Sequence, residues 1–332
     1  MAERLKNGGR KEADSVEGRK DVTGWAEAWD RWWFAPELGH RLAAFRILFG
    51  VYLLGYFGSF IPKVVPVFST QGVYSPWCAG DIALPPAGAV ALYGLMMGVI
   101  AAFIFGWKTR WITPLLLLLY IYYWLLNLAV KDTAYDRLNL LFLFLSCWGE
   151  LDAVWAVSPS RQRESGRESR VLPWAGRVLM LQLSLLYLGA GLWKVCGSAW
   201  GGGEMLEWTL VGSWGTSLAF GFVQLGWSAW FWEVLTAGVV AVELILPMAL
   251  FWRPLRLLAA TAGILFHLSI ALLLNVPEFL NCVAAYVLFW KPEEIQQAVS
   301  KAKAYMAPAS LSSCPKVEER NPTRDTNAEL SP

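Results

Sequence analysis

The chain has 332 residues, 56% of them hydrophobic and only 16% charged, with 20 tryptophans. Its mean hydropathy of +0.41 excludes an ordinary soluble domain and implies an integral membrane protein. Twenty-eight basic residues nearly cancel 26 acidic ones, so the overall basic field that drives nucleic-acid binding is absent.

Five cysteines (Cys78, Cys147, Cys196, Cys282, Cys314) are scattered without a CxxC pair, so neither a metal knuckle nor a disulfide-stapled domain is indicated, and no metal is expected. The first 20 residues are polar and charged, which predicts no cleavable signal peptide and leaves the first span to direct insertion. Trp25, Trp29, Trp32 and Trp33 then fall at i, i+4, i+7 and i+8, a stripe that predicts an interfacial helix along the headgroup boundary. Residues 1–37 are read as a cytoplasmic tail carrying this helix.

Crossing the hydrocarbon takes about 20 apolar residues. Eight such runs lie near 43–61, 88–106, 111–130, 138–155, 174–193, 232–252, 255–274 and 277–290. The expected fold class is all-α: a polytopic helical bundle of about eight transmembrane helices over residues 38–290, with no large soluble domain. The last run is short and reads as a tilted, partly buried or re-entrant span. Residues 291–332 predict a second cytoplasmic tail, a short helix after Pro292 followed by largely disordered sequence.

Charge tests this topology independently, because short cytoplasmic connections hold the Lys and Arg excess. With the N-terminus inside, 24 of the 28 basic residues fall on inner segments and 4 on outer ones. Both termini are therefore expected in the cytoplasm.

Ionisable groups inside spans are costly and default to functional hypotheses. Glu243 lies in the middle of the sixth span and His267 near the middle of the seventh. Counted from the turn at Arg253 and Pro254, their depths differ by about 5 Å at helical rise, so the two are expected to be able to pair. The blander reading makes both of them satisfied core groups. Lys194 closes the fifth span and Glu233 opens the sixth, both at the outer rim, with Asp132, Asp136, Arg137, Glu204 and Glu207 around them. From position alone Lys194 reads as a snorkelling anchor. Arg46, about one turn into the first span, should reach the inner headgroups or bond Glu150 or Asp152. The outer connection 194–231, rich in Gly and Trp, is expected to fold back as short helices capping the outer mouth.

Several segments carry a family resemblance. Tyr187, Gly191, Lys194, Trp200 and Gly203 lie in YLGAGLWKVCGSAWGGG and follow a Y-x3-G-x2-K then W-x2-G pattern. That pattern resembles the transmembrane (HTTM) module of vitamin K-dependent γ-carboxylases and carboxylase-like membrane proteins. FRILFG at 45–50 with FSTQGVYSP at 68–76, VELILPMALF at 242–251 and FHLSIALLL at 266–274 match in the same order. The resemblance covers about residues 38–290.

It implies an outward-facing site for a reduced naphthoquinone or other quinol. In the family a lysine acts as base on the quinol, O2 adds, and the strong base so formed removes a γ-proton from a glutamate side chain, which then captures CO2. Lys194 matches that lysine, and an amine desolvated at a membrane rim gives up its proton more readily. Tyr187, Gly191 and Trp200 are the expected substrate-binding residues, the glycine leaving room for a flat ring. Glu233, Glu243, His267 and Tyr135 are expected to support them.

Two departures stand out. The family's N-N-H-x-Y segment supplies a helper histidine, and the aligned KDTAYDRL keeps Tyr135 but places Thr133 at the histidine position. The sequence also ends about 40 residues after the last span, so the family's large extracytoplasmic region is expected to be absent, with a separate partner protein supplying it or a different substrate in its place. The expectation is a quinol-dependent oxygenase or carboxylase-like enzyme in contact with membrane lipid. The alternative is a non-catalytic membrane scaffold or lipid-binding protein.

Overall fold

The structure is a computed structural model that describes residues 24–72, 80–127, 134–159 and 169–306. Expectations for the first 23 residues, part of the first outer loop, Thr133 and the tail beyond Met306 lie outside the described residues, as does the side chain of Tyr135.

Helix α1 (24–34) carries the tryptophan stripe. A two-residue strand β1 (Glu37–Leu38) follows and pairs antiparallel with β2 (Arg170–Val171), Glu37 opposite Val171. The bundle is otherwise helical: α2 (His40–Gly58), α3 (Val64–Phe68), α4 (Pro86–Phe105), α5 (Thr109–Leu126), α6 (Ala134–Ser146), α7 (Trp174–Cys196), α8 (Glu204–Val211), α9 (Ser217–Val223), α10 (Ala229–Phe251), α11 (Arg253–Leu273), α12 (Asn281–Ala285) and α13 (Pro292–Met306). Residues up to Ile295 form one packed unit; from Gln296 the last helix belongs to a second.

Six of these helices are long and apolar enough to cross a membrane, beginning at His40, Pro86, Thr109, Trp174, Ala229 and Arg253. They are apolar around their whole circumference because lipid, not water, faces the side away from the bundle. Leu118, Leu185, Ile245, Met248, Leu257 and Leu265, for example, are all exposed.

The remaining two passes differ from the expected spans. The run expected over 138–155 stops being helical at Ser146, and the chain turns through Trp148 to Trp155. The final pass is a broken rod, 3-10 turns at Pro277–Leu280 and Tyr286–Phe289 around the single α turn of α12. Its rise is about 23 Å, against about 30 Å of hydrocarbon. Irregular backbone survives at this depth because it is enclosed by protein: Asn281, Cys282, Ala285, Tyr286 and Leu288 are all buried.

Arg46 locks the basic end. It is fully buried and donates to the carbonyls of Leu151 at 2.7 Å and Trp155 at 2.5 Å; of the two expectations, headgroups or an inner acid, it turns away from the headgroups, and the charge of Asp152 acts on it. The reason is local: after Ser146 the chain folds back across the helix ends, and its carbonyls there need donors. Gly106 takes a left-handed φ of +69° to end α4, and a side chain there would run into the Arg46 guanidinium. Arg41, whose Nε donates to the carbonyl of Trp290 at 3.0 Å, brings the last pass back to this end.

Candidate functional site

Helices α7 and α10 are tightly packed where the family-like motif lies. A Cβ added at Gly191 would sit 2.7 Å from Leu244 Cδ2 and 3.3 Å from Glu243 Cβ. The glycine therefore admits the neighbouring helix, and Leu244 fills the space that was expected to receive a flat ring.

One turn further along α7, Lys194 Nζ reaches both carboxylate oxygens of Glu243, each at 2.6 Å. The side chains are 14% and 9% exposed. The expected Glu243–His267 pair is thus replaced: similar depth on a hairpin does not place two side chains on facing sides, and α7 supplies the nearer partner. Lys194 is not a snorkelling anchor either, because its head is held inward on a carboxylate. The indole of Trp200 lies 4.9 Å from the ammonium, a cation–π contact on its remaining side.

The connection after α7 covers this pair. A 3-10 turn (Ser198–Trp200), α8 and α9 fold back on the start of α10. Gly203 is left-handed at φ +80°, and a Cβ there would lie 2.6 Å from the backbone carbon of Trp232. Leu210, Ala219 and Trp232 form a small second core beneath the cap. Thr216 caps α9 by accepting from Ala219 N at 3.2 Å, while its own N donates to the carbonyl of Leu273 at 3.0 Å. Glu233 is exposed on α10 and does not join the pair.

His267 belongs to a different cluster. Its Nε2 is hydrogen-bonded to the Tyr187 hydroxyl, which is also 2.5 Å from the Tyr286 hydroxyl. Tyr187 and His267 are both buried. Tyr286 was not anticipated from the sequence, since an aromatic in an apolar run carries no signal of its partner.

A third polar group was also missed. Asp136, read from the sequence as a rim residue, is completely buried. Its Oδ1 accepts from Tyr56 at 2.9 Å and from Tyr120 at 2.6 Å. Asn139 donates to the hydroxyls of Tyr120 at 3.0 Å and Tyr52 at 2.9 Å, and its own Oδ1 accepts from Asn281 at 2.9 Å. The available signal was an Asp and an Asn at i and i+3, one face of a helix that is apolar from Leu140 to Leu145.

A cavity of about 490 Å³ between α2 and the final pass is lined by Leu48, Tyr52, Tyr56, Ser59, Pro277 and Val283 among others. Among the described residues no group of three or more His, Cys, Asp or Glu side chains could hold a metal ion.

The sequence model of the HTTM domain matches residues 34–293, well over half of the chain. The chain belongs to the HTTM-domain family. The match begins at Phe34, the end of α1, and closes at the start of α13, so the HTTM domain takes in the whole bundle and its cap. With six long apolar helices, the HTTM domain makes this an integral membrane protein related to the membrane part of the carboxylases. No curated protein and no solved structure matches the chain.

Proposed function

We propose that this HTTM protein is a membrane enzyme of the carboxylase-like type, acting on a quinol or a similar lipid-soluble hydroxylated ring, with Lys194 as the base. The observation that carries the reading is the two-pronged Lys194–Glu243 contact at 2.6 Å, held under Trp200 at one end of an apolar bundle. The pair is net neutral and largely shielded from solvent, so it suits an uncharged ring: a charged ligand would lack a counterion there. Because Leu244 occupies the Gly191 face, the ring is received on the Trp200 side.

A bound quinol would supply an acidic ring hydroxyl. The chain's own part is proton handling. Lys194 becomes a free amine when one ammonium proton crosses the short hydrogen bond to Glu243, leaving a neutral amine beside a neutral acid. The amine then takes a hydroxyl proton, and the ammonium–carboxylic acid pair holds one proton more than before. Removal from water favours this neutral intermediate, since it avoids two buried charges. Trp200 holds the amine in place and excludes water. Thr133 at the helper-histidine position agrees with Glu243 serving as the partner of the lysine.

The strong basic bias of one end supports cytoplasmic placement of that end and both termini, with the Lys194 site opening outward. A separate extracytoplasmic protein, or a small lipid-soluble molecule, would then be the acceptor.

The test is mass spectrometry of an organic extract of purified protein, wild type against Lys194→Ala. Co-purifying naphthoquinone or ubiquinone that is lost in the variant supports the reading. No quinone in either protein, together with failure to bind added menaquinol, overturns it and favours a non-catalytic lipid-binding scaffold. The specific observation behind that second reading is Leu244, which closes the face beside Gly191.

A further inference from the structure

The cavity of about 490 Å³ between α2 and the final pass is a groove on the lipid-facing side of the bundle, with the exposed Leu48 and Val51 at its lip. Along α2 its wall is Leu48, Tyr52, Gly55 and Ser59, three or four residues apart and so on one face of the helix. Leu280 and Val283 of the final pass form the opposite wall. The 11 residues from Leu48 to Ser59 rise about 17 Å, roughly the depth of one leaflet in a hydrocarbon core about 30 Å thick. The groove therefore runs from mid-depth to the end of the bundle away from Arg46.

Its hydroxyls are already engaged. Ser59 Oγ donates to the carbonyl of Tyr56 at 2.7 Å, Tyr52 to that of Glu278 at 3.4 Å, and Tyr56 to Asp136 at 2.9 Å. A hydroxyl has one proton to give, so these three have none left for a ligand's oxygen. A ring bearing carbonyls would find no hydroxyl donor in this wall, whereas a plain hydrocarbon chain needs none.

The next position of the same stripe is Lys63, four residues beyond Ser59 in the 3-10 turn Ile61–Lys63. It is exposed, and no ion pair holds it among the described residues. A cation at the end of an apolar groove one leaflet deep complements an anionic headgroup above an acyl chain. A second copy of the chain, docked about a two-fold axis along the membrane normal, would instead set groove against groove and bring Lys63 toward Lys63.

We propose that this groove binds one anionic phospholipid, with an acyl chain lying between α2 and the final pass and the phosphate held by Lys63. The acyl chain completes the packing where the irregular final pass leaves α2 uncovered. The site is separate from the Lys194–Glu243 pair and independent of the chemistry proposed there.

The test is native mass spectrometry of the full chain released from nanodiscs of palmitoyl-oleoyl phosphatidylglycerol and phosphatidylcholine in equal parts. Wild type is expected to retain one phospholipid, with phosphatidylglycerol favoured several-fold. Gly55→Leu should lower retention of both lipids at least several-fold by filling the groove, and it should fold, since a Cβ at Gly55 meets nothing within 4 Å. Gly98→Leu on α4, at an equally open and exposed glycine, should retain lipid as wild type does. Lys63→Ala should abolish the preference for phosphatidylglycerol. Equal retention by Gly55→Leu and Gly98→Leu, or a preference that survives Lys63→Ala, overturns the proposal. So does a retained quinone, or a dimer, that is lost in Gly55→Leu, because the groove would then hold a ring or a second copy. A phosphatidylglycerol with a diazirine in its acyl chain gives a readout that needs no variant: crosslinks should concentrate on residues 48–59 and 277–284. Crosslinks spread evenly over α4 and α11 as well would show ordinary boundary lipid and overturn the site.

Discussion

Leu244 occupies the volume that any side chain at Gly191 would need, 2.7 Å from the position of the missing Cβ. The contact sets how closely α7 and α10 approach, and so the reach of Lys194 to Glu243, one turn away from Gly191. Gly191→Ala should therefore cost about 1–3 kcal/mol through overpacking, read as a lower unfolding temperature in detergent. Adding Leu244→Ala should recover part of that loss. If Gly191→Ala alone leaves the unfolding temperature unchanged, the helices are not held at this separation.

The Lys194–Glu243 pair should show the asymmetry of buried ion pairs. Glu243→Gln or Lys194→Ala leaves one group without its partner and should destabilise by about 3–5 kcal/mol. Lys194→Met combined with Glu243→Leu should lie close to wild type in stability, because neither charge remains. The comparison is of unfolding midpoints, and a double variant as weak as the singles would show that the pair contributes packing rather than charge.

Asp136 holds two tyrosine hydroxyls on one oxygen. Asp136→Asn keeps an acceptor at that point and should be mild. Asp136→Leu removes the acceptor shared by the Tyr56 and Tyr120 hydroxyls and should lose about 1–3 kcal/mol for each. Equal stability of the two variants in a thermal melt would mean that the tyrosines find other acceptors.

Cys196 is exposed at the end of α7, beside the Lys194 site. With that end outward, a membrane-impermeant maleimide should label Cys196 in intact cells expressing a Cys78→Ser protein, and adding Cys196→Ser should remove the label. Labelling that appears only after lysis would reverse the orientation.

Much of the fold is legible in the amino-acid sequence alone. A transmembrane helix satisfies its own backbone, so long apolar runs announce themselves, and the six helices beginning at His40, Pro86, Thr109, Trp174, Ala229 and Arg253 lie where the hydropathy puts them. The two weaker passes depended on neighbours: residues past Ser146 turn across the helix ends and meet Arg46, and the Pro277–Phe289 rod is tolerated because other helices enclose it.

At the site, the identities were readable and the partnerships were not. Lys194, Glu243, Tyr187 and His267 stand out as polar groups or motif positions in apolar sequence, a property each residue has by itself. Which of them touch depends on the rotation of one helix against another, which close approach at Gly191 and Gly263 settles through Leu244 and Tyr286. Helix crossing is decided by side chains distant in sequence. For that reason the Lys194–Glu243 pair, the Tyr286–Tyr187–His267 chain and the buried Asp136 cluster exist as arrangements only in the folded bundle.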